Sequence, residues 1–465
     1  MRYFLTVFVL SIGLFSCGDS ENESIISGQI IDAFTKEPIR DVTISILENG
    51  PSVTSDAKGL FQFSDEIARS TEIIAGRNEY ALALNHADYR PRESNVSRSK
   101  KAKIELAPKR VPAYFYYPPP QLNDQIESGS LIGVSMDAQI IQNLMDKVYR
   151  DKYREIHSIL IYKNGKLVVE EYLFGNNDTI NFENNVTVDH RPAPIQWSRK
   201  EKHYVASVNK ALTSLIVGIA LDQNNVSISS KISNYLPDYA SHFSNSNKAA
   251  VDFEDCLTMT AGFQWDEWGD TDLSRLWKTN DFGQFVLNRS NAGPGSEWRY
   301  NSALPNLMLK AVDHMVDGDV RTWADNQFYS KLGIIDYTWQ SQPDGFPEGS
   351  ARMYLRSRDM LKIGITLLND GKWQGDQVIP ADWVNEISQV KVRTPVSGDY
   401  SYHFWIRNLD GIEYLSAEGD GGNYINIFPE QDMVIVITQG LYLLWPLYVT
   451  QSDDIMKNYI FPAIR

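Results

Sequence analysis

Between residues 206 and 221 the chain is apolar nearly all round a helical period, and one lysine, Lys210, stands inside that run. A helix with no polar face is buried on every side, so this segment demands a core that encloses it and a reason to bury an amine. At 465 residues the chain is long enough for roughly two or three domains and such a core. Ser207 precedes Lys210 by three positions, so the two side chains share a helix face, with Cβ atoms about 5–6 Å apart. The partly positive N–H groups of a helix N-terminus favour negative charge developing at the serine. Apolar surroundings disfavour the ammonium form and leave the amine able to take a proton. A serine and a buried amine in contact form a nucleophile and base for acyl transfer. An ordinary helix start with a solvated lysine does not account for the burial.

The same spacing at Ser97 and Lys100 lies in a basic loop, and at Ser388 and Lys391 it follows a surface helix. Neither opens a buried helix. Other chemistries lack their parts: there is no Gly-x-Ser-x-Gly elbow, no His-Glu-x-x-His and no phosphate-binding Gly-x-x-x-x-Gly-Lys loop. The seven histidines are scattered without metal-ligand spacing, so no metal and no cofactor is expected. Net charge is −15, and the acidic surplus lies downstream of residue 110. With no concentrated basic face, nucleic acid is excluded as a partner.

The N-terminus carries Arg2, an apolar run over 3–15 and then Ser16-Cys17, the layout of a secretory signal. Leu14-Phe15-Ser16-Cys17 resembles a bacterial lipobox, which implies a signal peptide over 1–16, lipid on Cys17 and a place in the bacterial cell envelope, anchored to a membrane. The second cysteine, Cys256, is then a lone thiol. Residues 17–24 are short and polar, a tether. Short alternating runs at 25–31, 42–47, 60–63, 80–84 and 103–106 predict an all-β sandwich over 25–107. A Pro- and aromatic-rich linker over 108–130 follows, extended and lying against a domain. The remainder, 131–465, mixes strands and helices. An Asn164-Gly165 turn predicts a hairpin; helices are expected over 206–221, 358–368 and 445–459, and a second hairpin over 424–438. Strands at both ends with helices between predict an α/β (α+β) domain whose single sheet draws on both ends of the segment.

Within the sandwich, Ser27-Gly28-Gln29-Ile30, Pro38-Ile39, Ser55-Asp56, Gly59-Leu60-Phe61 and Asp88-Tyr89 resemble a carboxypeptidase-regulatory-like module. That resemblance implies a prealbumin-like sandwich without catalytic residues, and the module is separately expected to dock on an envelope partner. Downstream, His203-Tyr204-Val205-Ala206-Ser207-Val208-Asn209-Lys210, Leu257-Thr258-Met259-Thr260-Ala261-Gly262-Phe263, Trp265-Asp266-Glu267, Tyr300-Asn301-Ser302 and Gly419-Asp420-Gly421-Gly422-Asn423-Tyr424 resemble, in order, the serine β-lactamase-related hydrolases. This family spans cephalosporinase-type β-lactamases, penicillin-binding proteins, esterases and 6-aminohexanoate-dimer hydrolases. The resemblance implies the β-lactamase/transpeptidase-like fold, an antiparallel sheet flanked by helices with a helical subdomain.

It also implies the roles. Ser207 is the nucleophile, Lys210 its base, and Tyr300 passes a proton to the leaving group. The Ser207 N–H and the N–H of Gly422, next to Gly421, form the oxyanion hole, and Ser302 takes the place of the family's substrate-orienting Asn. The family's cation, which meets a substrate carboxylate, is replaced by Gly419-Asp420-Gly421. A small-molecule ester or amide without a nearby carboxylate, neutral or cationic, is therefore expected. The alternatives are a β-lactamase or D,D-peptidase-like muropeptide hydrolase, and a non-catalytic binding lipoprotein on the same fold.

Overall fold

The computed structural model describes residues 26–47, 50–64, 66–67, 79–98, 100–110, 114–150, 152–182, 186–267 and 272–465. The expected signal, Cys17 and tether lie outside the described residues. The chain divides into two units, Met1–Val111 and Pro112–Arg465.

In the first unit β1 (Ser27–Asp32), β4 (Leu60–Gln62) and β7 (Ala102–Leu106) form one sheet in the order β4-β1-β7. β2 (Thr43–Ile46), β3 (Ser52–Thr54), β5 (Glu79–His86) and β6 (Tyr89–Ser97) form the other, in the order β3-β2-β5-β6. Ile30, Phe61 and Ile104 of the first sheet and Ile44, Leu82 and Leu84 of the second belong to one buried core, as the period of two in their sequences requires. The sequence pattern did not signal β6. It is polar, carries Pro91 and occupies the sheet edge, where a missing N–H costs no ladder bond.

The second unit is built on one eight-stranded antiparallel sheet. Its strands are β8 (Ile156–Lys163), β9 (Lys166–Tyr172), β10 (Val392–Arg393), β11 (Asp399–Tyr400), β12 (Trp405–Leu409), β13 (Ile412–Gly419), β14 (Asn423–Phe428) and β15 (Met433–Gln439), in the order β10-β11-β12-β13-β14-β15-β8-β9. β8 and β9 form the expected hairpin, with Asn164 and Gly165 both at positive φ. Every residue of β8, β14 and β15 is buried, so helices cover both faces. Leu160, Val434 and Val436 join the core containing α2 (Val208–Gln223), α3 (Ala303–Asp313) and α4 (Ser357–Leu368). The alternate residues Ile159, Ile161, Ile435 and Ile437 join α1 (Ala138–Tyr149) and α5 (Leu447–Ile455) on the other side. Gly364 lets α4 sit close on β15: a Cβ there would stand 2.5 Å from Val434 Cγ1.

A helical segment between α2 and α4 holds α3 together with Phe253–Leu257, Phe282–Leu287 and Val320–Ala324. The stretch after Pro112 packs within its own unit: Tyr114 is buried, Tyr116 Oη donates to Val168 O, and Asp124 reaches α4. There Arg358 donates through Nε to Asp124 at 2.8 Å and through Nη1 to Glu170 at 2.7 Å. Arg199 lies 3.3 Å from the same Glu170.

Candidate active site

The nucleophile candidate sits at a bend. A short strand, His203–Tyr204, pairs with Met353–Leu355, and Val205 N–H donates to Met353 O at 3.0 Å. The next residue, Ala206, is held at φ 47°, in the left-handed region that costs a residue with a Cβ about 1 kcal/mol or more. That reversal sets Ser207 as the cap of α2, with its hydroxyl making no capping bond. The hydroxyl is left for Lys210, whose Nζ donates to Ser207 Oγ at 2.9 Å.

Lys210 is 1% exposed and is located by two further contacts. Its Nζ donates to Ser350 O at 3.2 Å and lies 4.8 Å from the centre of the Tyr300 ring. Both supports rest on buried glutamates. Glu348 accepts the N–H groups of Ser350, Ala351 and Arg352 at 2.6–2.7 Å, which curls residues 348–352 round one carboxylate. The curl presents Glu348 O to Asn209 Nδ2, Gly349 O to Thr213 Oγ1 and Ser350 O to Lys210, three carbonyls on one face of α2. Glu267 does the same for the start of α3, accepting Trp265 Nε1, Ser302 N–H and Ser302 Oγ. Tyr300, two residues earlier, stacks on Trp405 at 21°, meets Tyr400 edge to face and lies tilted against Trp298.

The structure therefore brings Ser207, Lys210 and Tyr300 together. It places the other expected residues differently. Ser302 is 1% exposed and gives its hydroxyl to Glu267 at the start of α3. Gly422 N–H is already bonded to Gly419 O at 3.2 Å, and a Cβ on Gly422 would meet the Gln439 side chain. Gly421 faces the Tyr442 ring. The residue lying on the nucleophile is Gly419, where a Cβ would stand 3.3 Å from Ser207 N and 2.1 Å from Val205 O. Asp420 does not stand in an open cation position: its carboxylate accepts Leu443 N–H at 2.7 Å and Tyr448 Oη at 3.0 Å. Burial pushes that carboxyl above the usual aspartate range.

Ser388, in the rival motif, caps Ala381–Ile387 and donates to Val384 O. Ser97 ends β6. The scattered histidines hide one neighbour of the site. His403 is 3% exposed, and neither ring nitrogen has a hydrogen-bond partner among the described residues. Burial and then the charge of Lys210 push it well below the ordinary histidine value, so it is neutral.

Comparison with known proteins agrees with this geometry. The profile of the family described as Beta-lactamase matches residues 138–442. A 6-aminohexanoate-dimer hydrolase of Paenarthrobacter ureafaciens is 21% identical over 264 residues, which cover 51% of this chain and 65% of that protein. Among solved structures, a family VIII carboxylesterase superposes with a TM-score of 0.54 at 14% identity, over 70% of this chain and 96% of its own. A penicillin-binding protein of Bacillus halodurans does so with a TM-score of 0.51 at 15% identity, over 68% and 99%.

Proposed function

This chain belongs to the beta-lactamase family, and on that premise we propose that it is a serine hydrolase cleaving a neutral ester or amide through an acyl-enzyme on Ser207. The observation that carries the reading is the 2.9 Å contact between Ser207 Oγ and the enclosed Lys210 amine. In the forward step Lys210 Nζ takes the Ser207 proton while Oγ attacks the substrate carbonyl carbon. Collapse of the tetrahedral intermediate expels the alcohol or amine, which receives a proton relayed through Tyr300. Water then attacks the acyl-enzyme by the same groups in reverse.

The oxyanion needs two N–H donors. One is Ser207. Gly419 lies against Ser207, and its C=O turns into the hairpin to accept Gly422 N–H. In a trans peptide the following N–H points the opposite way, which makes the Asp420 N–H the second donor.

The substrate preference follows from the charges round the mouth. Arg299 is paired with Glu297 and donates to Trp265 O, and Arg407 is paired with Glu418. With these cations committed, and Asp420 held by Tyr448 and Leu443, a substrate carboxylate lying over Trp298, Tyr300 and Trp405 meets no uncommitted arginine among the described residues. A desolvated, unpaired carboxylate is costly, so kcat/KM for an ester bearing one is expected to fall at least about tenfold below its neutral isostere. A matched ester pair measured beside a penicillin-type β-lactam, with mass spectrometry of the acyl-enzyme, tests this. Rapid β-lactam turnover, or preference for the anionic ester, would refute it.

The signal layout and lipobox resemblance at Cys17 support an envelope lipoprotein, with the first unit as its docking module. The full-length chain is expected to fractionate with membranes and a chain beginning at Glu21 to be soluble and equally active, because diacyl attachment provides the lasting anchorage that one acyl chain does not. A soluble, unmodified mature protein in the periplasm would overturn that assignment.

A further inference from the structure

A cavity of about 630 Å³ opens in the second unit, beside the short strands that lead to Ser207. Arg191, Arg321 and Arg352 line it, and Asp189 is the only carboxylate among its described lining residues. In a chain of net charge −15 such a wall is exceptional. Asp189 lies 3.5 Å from Arg191 on the exposed rim and answers that cation alone. Arg321 and Arg352 have no acidic partner among the described residues. Arg321 donates to Trp339 O and to Ser341 Oγ, and Arg352 to Ser341 O, which leaves each with donors to spare.

The two guanidiniums are held in place by flat neighbours as well. Arg352 lies 4.4 Å from the centre of the Trp277 ring and Arg321 5.3 Å from that of Trp339. A second observation points the same way. Tyr204, on the cavity wall and 3% exposed, has a hydroxyl with no hydrogen-bond partner among the described residues. A buried hydroxyl without a partner is costly unless something else supplies one. Trp339 and Tyr354 complete the lining with aromatic surface.

We infer that this cavity is a binding site, separate from Ser207, for a small organic anion: a carboxylate or phosphate on an aromatic body. The anionic oxygens take the free donors of Arg321 and Arg352 in the forked geometry guanidinium favours. The ring lies along Trp339 and Tyr354. The site is next to the catalytic scaffold, because the Arg352 N–H is bonded to Glu348, whose loop also carries the Ser350 carbonyl to Lys210, but its lining includes none of Ser207, Lys210 and Tyr300.

Calorimetric titration of the full chain with benzoate, phenyl phosphate and inorganic phosphate tests the assignment. At least one aromatic anion should bind saturably. Affinity should fall at least about tenfold in Arg352→Gln and in Arg321→Gln, as expected for loss of a charge-assisted pair. Ser207→Ala should bind as the wild type does. Whether benzoate or phenyl phosphate binds more tightly identifies the anionic group, and either result supports the site. Should Arg321→Gln fail to fold by circular dichroism, Arg321→Lys and Arg352→Lys give the same readout, since lysine keeps the charge and loses the fork. The inference is overturned by an absence of saturable binding, by affinity unchanged in the arginine variants, or by binding lost in Ser207→Ala. Inorganic phosphate binding as tightly as phenyl phosphate would overturn the aromatic part of it.

Discussion

Ser207→Ala is expected to lower kcat/KM for a p-nitrophenyl ester by about four to six orders of magnitude, the scale seen when a serine nucleophile is removed. The fold should survive. The Ser207 side chain makes no capping bond, and its backbone sits in the ordinary helical region at φ −65°, which alanine adopts freely. The lost contact is the one from Lys210 Nζ, which keeps its bond to Ser350 O. Intact-protein mass spectrometry after a fluorophosphonate probe gives an independent readout: a single adduct on the wild type and none on the variant. Activity retained in Ser207→Ala but lost in Ser388→Ala would move the nucleophile to a residue whose hydroxyl is bonded to Val384 O. Neither the geometry nor the mechanism could accommodate that.

The second large effect is on stability. Glu170→Gln is expected to cost about 3–5 kcal/mol in urea denaturation at pH 7, because it leaves Arg358 buried with its charge only partly answered. Glu170 and Arg358 side chains are 1% and 5% exposed, and Tyr172 Oη also donates to Glu170. Burial alone would raise the carboxyl. The guanidiniums of Arg358 and Arg199 outweigh it and hold Glu170 down at about 2, against about 4.3 in an unfolded chain. A carboxyl depressed in the folded state stabilises above its unfolded value, and loses that contribution as pH falls through its folded one. Wild-type stability should thus decline between about pH 4.3 and pH 2. In Glu170→Gln that part of the decline should be missing. An identical acid profile in the two proteins would show that Glu170 is not the group responsible.

What was legible in the sequence was local. Ser207 and Lys210 are three residues apart on one helix, so the periodicity that predicts the helix also predicts their contact. Tyr300 needed the order of motifs along the chain, since one tyrosine among 24 carries no signal of its own. Glu348 was invisible. In Phe346-Pro347-Glu348-Gly349-Ser350 it reads as an exposed loop acid, and it is buried only because the loop folds its own N–H groups round the carboxylate. Glu267 lay inside a motif that had been noticed, but its task, capping α3 from 35 residues away, is a tertiary fact. The Gly-rich turn is legible as a turn, but that Gly419 lies on Ser207 while Gly422 N–H bonds back to Gly419 O is set by the hairpin's own hydrogen bonds, which sequence spacing does not resolve to one residue.

The sheet joins β8 to β15, pairing Leu160 with Val436, and this gives the site a temporal order. Ser207 and Lys210 are synthesised early, whereas the strand end that lies on Ser207 belongs to the hairpin made by β13 and β14. Within the sheet that hairpin reaches β8 and β9 only through β15. Without β15, β8 and β14 each lack a partner on one edge. Contacts so distant along the chain form late in folding. Ser207 and Lys210 thus precede in the chain the strand end that lies on Ser207, and the arrangement round that residue is complete only when the last strand of the sheet has paired.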